Sequence, residues 1–193
     1  MNVHKTGRIT FTMRVEDGAM IIGYRLRQVK QQLGFVAPLS AVEKAEVAAR
    51  LSPAALALFE TMSPADQRHS LRVCQGLQAR GCTDDMLLVA ALLHDVGKAG
   101  GRVPFWTRPA IVLGKRLAPR LLAKLVVPPR DFARKPTTLP RWRRSLSCAW
   151  YHADVGADLA AAASLPEQAV LYIRTHHQPN GPAAALHAVD EVS

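Results

Sequence analysis

Disulfide chemistry has little to work with in this chain. There are three cysteines, Cys74, Cys82 and Cys148, an odd number with no C-x-x-C pair. That excludes a disulfide scaffold and a cysteine-type zinc site, and it suits a reducing cytoplasm. Aromatic residues make up only 6% of the chain. No run of eighteen uncharged apolar residues occurs, so no membrane-spanning helix is expected. The opening stretch, MNVHKTGRITFTMRVEDG, holds no long apolar segment and does not read as a secretory signal. Neither G-x-x-x-x-G-K nor G-x-G-x-x-G is present, so the phosphate loops of the common nucleotide-binding folds are not indicated. Acids are almost missing from one block: residues 101 to 150 carry twelve Lys/Arg against a single acid, Asp131.

What is present is a chain of 193 residues, 49% hydrophobic. That suits one domain with an extension, long enough to bury a core and too apolar to be disordered throughout. The net charge is +10, and outside the basic block 13 basic residues face 14 acidic ones. The protein is therefore a near-neutral body with one cationic insert, a field that favours phosphates, nucleic acid or an anionic membrane surface.

Residues 1 to 19 alternate in the manner of a strand at Ile9, Phe11, Met13 and Val15, and read as a hairpin-like or poorly ordered segment. From 20 onward the pattern is helical. Residues 20 to 62 form a helical extension. Within it Tyr24 to Leu33 is thinly amphipathic, Ser40 with Glu43 is a capping box opening a helix through Arg50, and Ser52-Pro53 opens one through Met62. Ser63-Pro64-Ala65-Asp66 starts a helix to Ala79, with Gly81 past its end. The helix opened by Thr83-Asp84-Asp85 is apolar almost all round and is expected at the centre, ending at Gly97. The insert, 101–142, should hold one helix over 107 to 126, with Leu113, Leu117, Leu121 and Leu125 on one face. Helices over 143 to 163, from Pro166 to His177, and over 183 to 192 complete an all-α chain.

His94 and Asp95 sit together at the end of the most apolar helix. An ionised carboxylate there is costly unless it is paired or binds a metal. Around them, in order, stand Arg68-His69-Ser70-Leu71, then Leu93-His94-Asp95-Val96-Gly97-Lys98, then Ala188-Val189-Asp190-Glu191. This H…HD…D series resembles the HD-domain superfamily of metal-dependent phosphohydrolases, and the middle piece resembles its HDIG signature with Val96 in place of Ile. The resemblance covers residues 63 to 193. It implies a helical bundle around one or two divalent metals, with His69, His94, Asp95 and Asp190 as primary ligands. The mixed nitrogen and oxygen set suits Mn, Fe, Ni, Co or Zn, with Mg as a further option.

His152, with Gly156 one turn later on the same face, and the pair His176-His177 are placed where extra family histidines help hold a second metal. Which of the pair does so is open, and a dipole-favoured cation at a helix end is the plain alternative. The Gly-Tyr-Pro run of the HD-GYP subgroup is missing, so the resemblance does not extend to a cyclic-dinucleotide specificity. His187, three residues before Asp190, reads as a neighbour of the ligands or a surface residue.

The expected chemistry is hydrolysis of a phosphate ester or phosphodiester, on a nucleotide or another small anionic phosphate, by metal-activated water. Asp95 would bridge and orient the water. Lys98, and more weakly Arg72 one turn beyond His69, would meet phosphate oxygens. The rivals are a regulatory HD domain that binds without turnover, and a nucleic-acid-binding module. The basic block, 101–150, with Trp106, Trp142 and Trp150 among its cations, reads as a substrate-side lid or a solvated face with core leucines, a nucleic-acid surface, or a helix that lies on an anionic membrane or a partner.

Overall fold

The computed structural model describes residues 36–101, 103, 107–128 and 139–193. The strand-like start at 9–15, the helix at 24–33, Trp106 and Asp131 lie outside them. The described residues are all α, with no strand. In order they form α1 (Ala41–Ala48), α2 (Pro53–Glu60), α3 (Pro64–Ala79), α4 (Asp85–Leu93), a 3-10 turn (Val96–Gly101), α5 (Thr107–Leu117), α6 (Pro119–Leu125), α7 (Arg141–Ala162), α8 (Glu167–Thr175) and α9 (Ala184–Asp190).

The starts of the first helices follow from local chemistry. Ser40 accepts from the Glu43 amide and its own amide donates to the Glu43 carboxylate, a full capping box. Ser52 and Ser63 cap α2 and α3 ahead of Pro53 and Pro64, whose missing N–H costs nothing at a first helical position. Asp84 caps α4 through the Met86 and Leu87 amides, 2.9 and 3.1 Å away. Helix α3 ends where Gly81 adopts φ +81°, a conformation a Cβ would disfavour.

Helix α4 is the centre of the main core. Leu87, Leu88, Ala90, Ala91, Leu92 and Leu93 are all buried. Helices α3, α8 and α2 pack against it, α7 lies along the 3-10 turn and against α8, and α9 lies on α3. Arg68, next to His69, ties α3 to the preceding segment: it donates to the Ala37 and Pro38 carbonyls and pairs with Glu43 at 2.8 Å.

Two expectations for these elements are corrected. The α-helical pattern of α4 stops at Leu93, not at Gly97: His94 caps it and the chain tightens into the 3-10 turn. The expected single helix over 107 to 126 is two helices, because Pro119 has no N–H and its ring forces Ala118 to φ −146°, ψ 59°. The break resets the phase, and of the leucine stripe only Leu125 reaches a core. Leu113, Leu117 and Leu121 are 57%, 70% and 57% exposed, while Leu122 turns inward.

The insert has its own small core. Leu122, Val126 and Leu146 are buried there, with Ala110, Ile111, Leu125, Trp150 and Tyr151 packed against them. The start of α7 clamps the end of α6: Arg143 donates to the Leu125 and Lys124 carbonyls at 2.7 and 3.0 Å, cation on helix C-terminus. Ser147 Oγ accepts from the Val127 amide. Among the described residues no helix is long and apolar enough to cross a membrane.

Candidate metal centre

Five histidines and two aspartates meet where the 3-10 turn, α3, α7, α8 and α9 converge on the end of α4. His94 and Asp95 are brought in by the end of α4, His69 by α3, Asp190 by α9, His152 by α7, and His176 with His177 by the end of α8. The rings form a continuous chain with centroids 5.4 Å apart for His69–His94, 5.1 Å for His94–His176, 5.3 Å for His152–His176 and 4.8 Å for His152–His177. Two groups of ligand atoms lie close enough to hold an ion each: His69, His94 and Asp95, and His152, His176 and His177. Asp190 joins the first through Oδ1, 2.8 Å from His69 Nε2 and 3.6 Å from His94 Nε2. Asp95 faces both groups, with Oδ2 3.6 Å from His94 Nε2 and Oδ1 3.4 Å from His152 Nε2.

Three of the rings are oriented by the same device. The Nδ1–H of His94 donates to the Ala91 carbonyl at 2.8 Å, that of His152 to Ala149 at 2.8 Å, and that of His176 to Ile173 at 2.7 Å. A carbonyl only accepts, so each Nδ1 keeps its proton, and in the neutral ring Nε2 is a bare lone pair. Backbone partners of this kind are how proteins fix the tautomer and aim of a ligating imidazole. These carbonyls are the part of the site that the sequence reading missed, although the i−3 spacing from each helical histidine carries the signal.

The charges follow from the packing. Burial opposes a charge on Asp95, yet Lys98, His94, His152 and His69 together hold its carboxyl well below the ordinary range. Burial likewise opposes the charge on Asp190, and His69 and His94 bring its carboxyl far down. Burial first, then Lys98, pulls His152 down to about 3 and His177 down to about 4. His176 lies well below the usual histidine value through burial, with His94, His177 and His152 adding to it. His94 goes the other way: burial disfavours its charge, but Asp95 and Asp190 more than offset that. Near neutral pH the site is therefore two carboxylates among mostly neutral imidazoles, the protonation state in which these groups ligate metals.

The fit to a divalent ion rests on two atoms in particular. His94 Nε2 and His176 Nε2 are buried and have no hydrogen-bond partner. The lone pair of His176, and that of His94 in its neutral form, face inward, and a buried polar atom left unpartnered is destabilising by about 1–3 kcal/mol. A cation satisfies both. With imidazoles and carboxylates as donors, the set suits a transition ion.

The remaining sequence candidates fall as follows. Lys98 Nζ lies 2.5 Å from Asp95 Oδ2, its side chain 11% exposed. Arg72 is half-buried on α3 and makes no ion pair with Asp95 among the described residues. His187 is half-buried on α9 and belongs to neither ligand group. His176 and His177 both belong to the second group, His176 buried and His177 exposed, with His177 Nε2 2.9 Å from His152 Nε2. Comparison with family models, curated proteins and solved structures finds no match to this chain.

Proposed function

We propose that the chain is a metal-dependent phosphohydrolase of the HD-domain type. Residues 63–193 form its catalytic domain, and a nucleotide or another small anionic phosphate is its substrate. The observation that carries the reading is the seven-residue cluster, in which Asp95 stands between two histidine groups, each with one buried Nε2 that has no hydrogen-bond partner, that of His94 and that of His176. His69, His94, Asp95 and Asp190 would hold one divalent ion, and His152, His176 and His177, with Asp95 shared, a second. Ions bound there would supply a Lewis acid and a water of lowered pKa.

The chain's own groups supply the rest. Asp95, ionised at neutral pH, faces both groups and can orient a water. Lys98 holds that carboxylate in place and carries the nearest positive charge for a phosphate oxygen. The Ala91, Ala149 and Ile173 carbonyls keep the three imidazoles aimed, so no ring reorganises during turnover.

The test is metal content together with hydrolysis of p-nitrophenyl phosphate and bis-p-nitrophenyl phosphate, for wild type and Asp95→Ala reconstituted with Mn, Ni or Zn. The reading expects one to two ions per chain and hydrolysis in wild type, both lost in the variant while helical content stays. Hydrolysis retained in Asp95→Ala, or no uptake of any of the three metals by wild type, overturns it.

A further inference from the structure

The insert carries a second apolar face that its own core does not use. Ala110, Ile111, Leu122, Leu125 and Val126 already pack inward with Leu146. Leu113 and Leu117, one turn apart on α5, and Leu121 on α6 remain more than half exposed, and Trp142 at the start of α7 is 47% exposed. These four account for half of the large hydrophobics exposed among the described residues. Exposed leucines are ordinary when scattered, but these four stand on α5, α6 and α7, of which α5 packs on both others, and such a concentration marks a contact surface.

The cations around them say what the surface meets. Arg116, Arg120 and Lys124 lie on the same two helices, and Arg141 and Arg144 flank Trp142; all five are exposed. The block from 101 to 150 holds one acid against twelve Lys/Arg. Two like-charged copies of this face repel each other. A nucleic acid would satisfy the cations but gives Leu113, Leu117 and Leu121 nothing to pack on, and among the described tryptophans of the insert only Trp142 is exposed for stacking, since Trp150 sits in the small core. An anionic bilayer answers both halves: its headgroups take the Arg and Lys, and its acyl boundary takes the leucines.

We propose that the α5–α6 face, with Trp142 beside it, docks on the surface of an anionic lipid membrane, Leu113, Leu117 and Leu121 inserting while Arg116, Arg120 and Lys124 meet the headgroups. The helices lie in the interface and do not span it. None of its residues belongs to the histidine cluster, so it holds whether or not the phosphohydrolase reading does.

The experiment is co-sedimentation of the full chain with vesicles of phosphatidylcholine alone and of phosphatidylcholine with 40% phosphatidylglycerol, at about 0.1 M salt. Alongside wild type run Leu113→Gln/Leu117→Gln/Leu121→Gln and Arg116→Gln/Arg120→Gln/Lys124→Gln, each checked for wild-type helical content and melting. Exposed positions make both variants tolerable to the fold. The proposal expects wild type to bind phosphatidylglycerol vesicles at least tenfold better than phosphatidylcholine. It expects the leucine variant to lose about tenfold with its charge intact, and the cation variant about a hundredfold. Absence of vesicle binding by wild type overturns it. So does vesicle binding that the leucine variant keeps in full, which is plain adsorption. A single-stranded RNA 30-mer bound equally by wild type and leucine variant, in place of vesicles, would make the face a nucleic-acid surface. A dimer in sedimentation velocity that only the leucine variant loses, again without vesicle binding, would make it a self-association surface.

Discussion

Gly97 lies against the backbone of His152 so closely that a Cβ built on it would overlap the His152 carbonyl oxygen and come within 2.7 Å of the Gly156 amide nitrogen. Gly156 returns the relation: a Cβ there would stand 3.2 Å from the Gly97 nitrogen and 3.3 Å from Val96 Cγ1. The 3-10 turn and α7 therefore touch backbone to backbone, and that contact sets Asp95 Oδ1 3.4 Å from His152 Nε2. The two histidine groups share a carboxylate because two glycines let two chain segments meet.

Substitution at the two glycines should be unequal. Gly97→Ala forces backbone apart, where nothing flexible can give, and should cost about 3 kcal/mol or more. Gly156→Ala needs shifts of a few tenths of an ångström, set against about 1 kcal/mol of helix propensity gained inside α7, and should leave stability nearly unchanged. With about 2–4 °C of Tm per kcal/mol at this length, thermal melts separate the two. Equal Tm values for the two variants would contradict the contact.

The metal-free protein should lose stability as the medium is acidified below the ordinary histidine pKa. His152 is held down to about 3, so between pH 6.5 and that value the unfolded chain binds a proton that the folded chain refuses. Stability then rises with pH across this window. His176 and His177 act in the same direction. His94, shifted upward, opposes them, its contribution being lost as pH rises. Urea midpoints of chelator-treated protein should fall from pH 7 to pH 5, and His152→Gln should flatten the fall.

Ion stoichiometry should divide along the two groups. His69→Ala should remove one ion and leave the other, His177→Ala the reverse, and Asp95→Asn should weaken both. Elemental analysis after equilibration with Mn or Ni gives the ratio per chain. Wild type should also melt higher with metal than with chelator, by an amount that grows with metal concentration. An unchanged ratio in all three variants would place the ions elsewhere.

Loss of the Asp84 cap should destabilise without touching the site. Asp84→Ala removes the oxygen that accepts from two amides at the start of α4 and the partner of the Tyr172 hydroxyl, 2.8 Å away. About 1–2 kcal/mol is expected, seen as a Tm lower by a few degrees, with metal content per chain unchanged.

Features set by near neighbours were readable from the chain. Ser40, Ser52 and Ser63 announced helix starts because a cap needs only the next three residues. The buried α4 was readable because almost nothing polar interrupts it. The pairing of His94 with Asp95 stood out because adjacent ionisable groups at the end of such a helix require a reason. What depended on distant partners was not readable. Leu113 and Leu117 have the spacing of a core face, but Ile111 and Ala110 present another, and only the docking against α7 decides which is covered. Pro119 was in plain view, and the even leucine spacing across it concealed the break. That Gly97 meets His152 depends on how α7 lies on the 3-10 turn, which no local pattern encodes.

His94 and His176 each cap a helix, α4 and α8, so two helix C-termini arrive at one place. The negative ends of both peptide dipoles add to Asp95 and Asp190. Despite a chain total of +10, the interior of the site thus repels anions and invites cations. On the phosphohydrolase reading, a phosphate that came first would meet four sources of negative potential, with Lys98 and a protonated His94 in its favour among the described residues. One that came after the cations would meet a neutralised pocket. The fold thereby imposes a sequence of arrival, cation ahead of substrate, through electrostatics alone and without any moving part.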